Sequence, residues 1–199
     1  MRRFGEQTEL TQFAKHFIKE RIESLDKDVR HCLQEPFAPF PALLYCFSTI
    51  DLLGALYAGD ATRHAPTVRQ STGYMQRFMN YTEEQTRLLQ SLFRHKIVHL
   101  AQPKAVIEDN SRLISWRYWH QCQEYHLKLM KLPQGSKIEV ASGWDIPCDY
   151  EFNVSISHLV SDIRHSVENP NGYLASLQKE SDLQDCFEKA ITQIFDPRE

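Results

Sequence analysis

The chain has 199 residues, 42% of them hydrophobic and 25% charged, with a formal net charge of −3. This balance is ordinary for one large globular domain and argues against a protein that coats nucleic acid indiscriminately. The longest apolar stretch, "FPALLYCFSTIDLLGALYAG", carries Asp51 and several small polar residues, so it is expected as a buried helix rather than a bilayer span.

The opening "MRRFGEQTEL" turns polar at once, with no apolar segment of a secretion signal behind it. Five cysteines (Cys32, Cys46, Cys122, Cys148, Cys186) are odd in number, widely spread and free of any CxxC pair. A disulfide framework or zinc ribbon is therefore not expected, and a reducing cytoplasm is the natural compartment.

Leu10, Phe13, Phe17, Ile18, Ile22, Leu25 and Val29 recur at helical steps, which predicts a first helix over 8–34 with Thr8 as its N-cap. The prolines of "EPFAPFP" stop it by removing donors and fixing φ. A second helix over 41–58 is apolar on nearly all sides and belongs at the centre of a bundle, with Gly59 and Asp60 ending it. A third helix is predicted over 67–80. Thr82 followed by Glu83, Glu84 and Gln85 then reads as a capping box that starts a fourth helix, running from 83 to about 99 and closed by Pro103.

The pattern changes after residue 110. "RLISWRYWH", "EYHLKLMKL", "SKIEVAS" and "YEFNVSI" are rich in aromatic and β-branched residues, which predicts three or four antiparallel strands. Helical spacing returns in two further segments, one holding Leu159, Ile163 and Val167, the other Leu183, Phe187 and Ile191, with "ENPNG" placed to divide the former. The expected fold is mainly α: a single domain with a helical core (8–104 and 155–195) and a small antiparallel β insertion (about 111–154) between helices four and five.

Charge is unevenly spread. Residues 62–104 hold seven basic residues against two acidic ones, a local net of +5, whereas residues 145–199 have a net of −7. The basic segment contains the most distinctive stretch, "SLFRHKIVHLAQPK". On an ideal helix His95 and His99 lie about 40° apart, and Arg94 and His99 about 140° apart. Leu89, Leu92, Phe93, Ile97 and Leu100 form the apolar face, which leaves the Arg–His side free to meet a second surface. A guanidinium offers a fixed fork of donors to a phosphate, and an imidazole moves protons near neutral pH. Together they suit cleavage of RNA, which carries its own 2′-hydroxyl nucleophile, with no metal or other cofactor needed. The same residues also suit helix capping, since basic groups at a helix C-terminus stabilise its dipole by about 0.3–1 kcal/mol each. A zinc site on His95 and His99 lacks a further ligand. Asp51 is a candidate partner for an arginine or histidine, though a satisfied polar core residue is the favoured reading of a lone carboxylate in an apolar helix. Trp116, Tyr118, Trp119 and Tyr125 suit either base stacking or packing of the sheet on the bundle.

The spacing in "RHKIVH" resembles the Arg-polar-x3-His motif of the HEPN superfamily, an α-helical group rich in RNases and toxins. The long first helix, the apolar second helix and a motif helix ending in "HLAQP" are similar to that group over residues 8–104, while the β insertion is not part of its minimal bundle. The resemblance implies a homodimer with a composite site and RNA cleavage that leaves a 2′,3′-cyclic phosphate and a 5′-hydroxyl. Arg94 would hold the phosphate, His99 would act as general base or acid, and His95 would orient the pair. Lys96, Arg87 and Lys104 are expected to bind the RNA backbone. It also implies a toxin or defence effector, with an antitoxin as a possible partner. Many members of the group are instead non-catalytic dimerisation or binding modules.

Overall fold

Its composition places the second helix at the centre, and that is where it lies in the computed structural model, which describes residues 7–94, 104–141 and 143–196. This helix, α2 (Pro39–Ala58), follows α1 (Gln7–Cys32) and precedes α3 (Thr67–Phe78). Pro39 opens α2 at a position where a missing N–H costs nothing. Gly59 closes it with φ 73°, donating its N–H to the Ala55 carbonyl at 2.9 Å. By length and composition α2 alone among the described helices would suffice to cross a membrane, but half of that window is buried. Its neighbours include α1 and α3.

Helix α1 buries Leu10, Ala14, Ile18, Ile22, Leu25 and Val29, a stripe at three- and four-residue steps with charges on the other face. Phe37 of the proline-rich connection and Phe40 in the first turn of α2 stand edge-on to aromatic rings at residues 116–120. Phe37 meets His120, and Phe40 meets Trp116 and Tyr118. Trp116 and Tyr118 therefore pack the sheet on the bundle, with Trp116 also against Phe93, while Trp119 stacks on Tyr125.

Thr82 starts α4 (Glu83–Leu88) with a complete capping box: its hydroxyl accepts the Gln85 N–H, and the Gln85 side chain accepts the Thr82 N–H. The segment then departs from the predicted continuous α-helix. Leu89–Arg94 is a π-helical turn, with hydrogen bonds closing over five residues instead of four. The wider turn brings Leu89, Gln90, Leu92 and Phe93 all into buried positions. An α-helix would have carried Gln90 toward solvent. The angles expected between Arg94, His95 and His99 concern residues beyond Arg94 that lie outside the described ones.

The strands are β1 (Ile107–Asp109), β2 (Arg112–Trp119), β3 (Leu129–Lys131), β4 (Lys137–Ala141), β5 (Trp144–Pro147) and β6 (Tyr150–Ser155). An all-antiparallel sheet was expected. Instead the main sheet has the order β1-β2-β6-β3, and its two central strands are parallel, from Ile114↔Tyr150 to Trp119↔Ser155. A crossover carrying β3 and the separate β4–β5 hairpin makes this possible. Phe152, Asn153, Val154 and Ser155 are consecutively buried, as a central strand covered on both faces requires. Asn110 and Ser111, both at positive φ, form the tight turn between β1 and β2.

Three helices close the chain, where two were expected: α5 (Ile156–Glu168), α6 (Tyr173–Leu177) and α7 (Ser181–Ile194). "ENPNG" divides the first segment into α5 and α6. The fold is thus mainly α with a small sheet.

Tyr74, Phe78 and Tyr173 form an aromatic cluster in the core, and the Tyr74 hydroxyl reaches Ser166 at 2.9 Å. A second polar cluster ties the sheet to the bundle. The Ser155 N–H donates to His126 Nδ1 at 3.0 Å, so the ring's proton sits on Nε2, which faces Asp162 at 3.1 Å. Tyr81 donates its hydroxyl to the same carboxylate oxygen at 2.6 Å. All five cysteines are free.

Candidate functional site

Arg94 ends the π-helical turn, and its guanidinium is turned back toward α2. Nε donates to Asp51 Oδ2 at 2.9 Å, and Nη2 lies 2.8 Å from the same oxygen in an ion pair. Ser71 of α3 places its hydroxyl against the other carboxylate oxygen, Oδ1. Three elements thus meet at one ion pair. Arg94 is 13% exposed and Asp51 19%, so water competes little for either group. Asp51, read from the sequence as a possible partner for a basic residue, has that role here. Arg94 was expected to be free to meet a second surface; instead one edge of its guanidinium is committed within its own chain.

The rest of Arg94 faces a shallow depression of about 490 Å³, lined otherwise by Ala65, Pro66, Thr67, Val68 and Arg69. These residues are the cap and first turn of α3. Pro66 offers no side-chain oxygen to this helix end; the Thr67 N–H is taken by the Ala65 carbonyl at 2.8 Å, and the Gln70 N–H reaches back to the Pro66 carbonyl at 3.1 Å. An uncapped N-terminal turn carries partial positive charge and favours anions. The depression therefore combines a helix N-terminus, the exposed Arg69 and an oriented Arg94. Its chemistry suits a phosphate group.

A second depression, of about 510 Å³, adjoins the first through the shared residue Val68. Gln90, Ser91 and Lys104 line it together with the start of β1. Lys104 is exposed, and its backbone N–H donates to the Leu92 carbonyl at 3.1 Å, which fixes it beside the π-helical turn.

His95, Lys96 and His99 lie outside the described residues. Arg87 does not stand open to a ligand as expected. It grips Asp109 with Nε and Nη2, at 2.8 and 3.0 Å, and Arg112 reaches the same carboxylate and Glu84. The network fastens β1 and β2 to α4. The Arg87 hydrogen bonds hold the Asp109 carboxyl below the usual aspartate range.

Neither a family model, a curated protein nor a solved structure matches this chain. The functional reading therefore rests on the residues themselves. Ser71 and Gln90 were not singled out from the sequence. For Ser71, the available signal was the small residue Gly54 three positions after Asp51, which marks a close helix contact on the face that carries the carboxylate. Gln90 had no signal, because only the π-helical turn moves it inward.

Proposed function

We propose that the protein is a metal-independent endoribonuclease of the HEPN type that acts as a homodimer, a toxin or defence effector whose RNA cleavage an antitoxin partner restrains. The observation that carries this reading is Arg94, held by Asp51 at the edge of a depression formed by the uncapped first turn of α3.

Asp51 fixes the orientation of the guanidinium without closing the depression, so a phosphodiester finds a preset cation and backbone N–H donors together. In the proposed reaction His99 takes the proton from the ribose 2′-hydroxyl. The 2′-oxygen bonds to phosphorus, Arg94 stabilises the crowded phosphorane, and the bond to the 5′-oxygen breaks. The partner's copy of the motif returns a proton to that oxygen, leaving a 2′,3′-cyclic phosphate and a 5′-hydroxyl. His95 orients the pair, and Lys96 and Lys104 hold the flanking strand.

One observation favours a second reading, a non-catalytic helical module: the Arg94–Asp51 pair is largely buried and joins α2 to the π-helical turn, which is itself a structural role. A single experiment separates the two. The purified protein is incubated with single-stranded RNA in excess chelator, beside His99→Ala, with circular dichroism to check both folds. Cleavage by the parent and its loss in a folded His99→Ala support the nuclease. No cleavage leaves the module, and cleavage that persists in His99→Ala overturns the proposed nuclease mechanism.

A further inference from the structure

The depression beside the Arg94 site is bordered by Gln90, whose amide is buried behind the depression's surface. Gln90 is 7% exposed, and among the described residues neither its Oε1 nor its Nε2 has a hydrogen-bond partner. Buried polar groups are nearly always paired, and an unpaired amide destabilises the conformation that holds it. A ligand that offers one donor and one acceptor side by side would remove both deficits at once.

We infer that this depression is a nucleobase subsite, with adenine as the base that fits its donor–acceptor edge. The inference rests on the nuclease reading for its place along an RNA strand, but not for its chemistry. A glutamine amide pairs with adenine in two bonds, Oε1 accepting from the exocyclic N6–H and Nε2 donating to N7. Base binding would require rotation about the Gln90 side-chain bonds, which would turn the amide from its buried position into the depression that the residue lines. Val68, 47% exposed, and Ile107 supply apolar walls for the faces of a ring. Lys104 stands on the rim, where it would meet a flanking phosphate. The volume of about 510 Å³ is enough for one nucleoside. Because Val68 belongs to both depressions, a base seated here places its neighbouring phosphate toward Arg94.

The test uses the full chain with adenosine, which has no phosphate, and with pyrophosphate, which has no base. Binding is followed by calorimetry for the parent and for Gln90→Met, a side chain of similar length without the amide. Adenosine should bind the parent saturably and bind Gln90→Met at least tenfold more weakly, with pyrophosphate affinity unchanged. The variant should melt no lower than the parent, because it replaces an unpaired amide with an apolar group. That result excludes misfolding as the cause of lost binding. Absence of adenosine binding, equal binding by the variant, or a lower melting temperature for the variant each overturns the assignment. The nuclease reading fails separately: RNA left intact while adenosine binds through Gln90 removes catalysis and keeps the subsite.

Discussion

Gly54 of α2 lies so close to Ser71 of α3 that a Cβ added to the glycine would stand 2.8 Å from the Ser71 backbone nitrogen. Real Cβ atoms do not approach backbone this closely, so α2 and α3 reach their observed separation only because position 54 is a glycine. The same approach brings the Ser71 hydroxyl to Asp51, three residues earlier on α2.

Gly54→Ala is therefore expected to force the two helices apart. The overpacking should cost about 1–3 kcal/mol, less the few tenths to 1 kcal/mol that alanine returns by its higher helix propensity. For a domain of this size that is a fall of a few degrees in melting temperature, roughly 2–4 °C per kcal/mol. Thermal denaturation followed by circular dichroism measures it. An unchanged or raised melting temperature would show that the helix contact has slack, and would weaken the account of how Asp51 is positioned.

Asp51→Asn leaves the carboxamide in the carboxylate's place but removes its charge. Arg94 then remains largely buried without a counter-ion, which should destabilise the fold by about 2–4 kcal/mol, somewhat below the range for a fully buried pair. A double-mutant cycle with Arg94→Gln tests the pairing. Coupling above about 1 kcal/mol is expected for residues in direct contact. If the nuclease reading holds, Asp51→Asn also lowers cleavage while the protein is still folded, because the guanidinium loses its preset orientation. Additive effects of the two substitutions would mean that the observed ion pair contributes nothing.

Local signals in the sequence located the helices well, and pairings between distant segments were what escaped. The stripe from Leu10 to Val29, the capping box at Thr82 and the stop at Gly59 are each decided within a few residues, so spacing and side-chain chemistry were enough. The parallel match of β2 to β6 joins residues more than 30 positions apart, and alternation within each strand does not say which neighbour it takes. The site divides in the same way. Arg94 and Asp51 could be picked out individually, the one by its motif and the other as a lone charge in an apolar helix. The pairing of Arg87 was not foreseen because its partner, Asp109, lies 22 residues on, across the segment that precedes the sheet. The π-helical turn left no trace in the periodicity, since Leu89, Leu92 and Phe93 satisfy an α-helical pattern equally well.

Asp109 gives the fold an acid-sensitive fastening. Its carboxyl is held below the usual range by the Arg87 hydrogen bonds and, after them, those of Arg112. The folded protein thus binds a proton at Asp109 less readily than the unfolded chain does. The resulting stability is fully present above the unfolded aspartate pKa of about 3.9 and is lost as pH falls through the lower folded value. Asp109→Asn should therefore melt below the parent at pH 7, by an amount worth about 1–2 kcal/mol because Arg87 is more than a third exposed and partly screened. The difference should shrink as pH falls below about 4. A deficit that stays constant down to pH 2.5 would assign the effect to packing rather than to charge.

The alkaline limb of stability depends on the tyrosines. Tyr74, Tyr81 and Tyr173 are buried, and burial pushes each hydroxyl above the usual tyrosine range. At Tyr81 the negative charge of Asp162 adds to the effect. The unfolded chain releases these protons near pH 10, while the folded chain retains them. Above that pH the folded state binds more protons than the unfolded state, so stability falls as pH rises. Below it both states are protonated and these groups contribute no slope. Urea denaturation at pH 8, 9 and 11 should accordingly give nearly equal midpoints at the first two values and a clear drop at the third. Tyr81→Phe should flatten part of that drop, at the expense of the hydrogen bond to Asp162. Ultraviolet titration of the folded protein provides the independent check. If the absorbance of all eight tyrosines rises together near pH 10 before the fold is lost, these three hydroxyls are open to solvent and the account of the core around them is wrong.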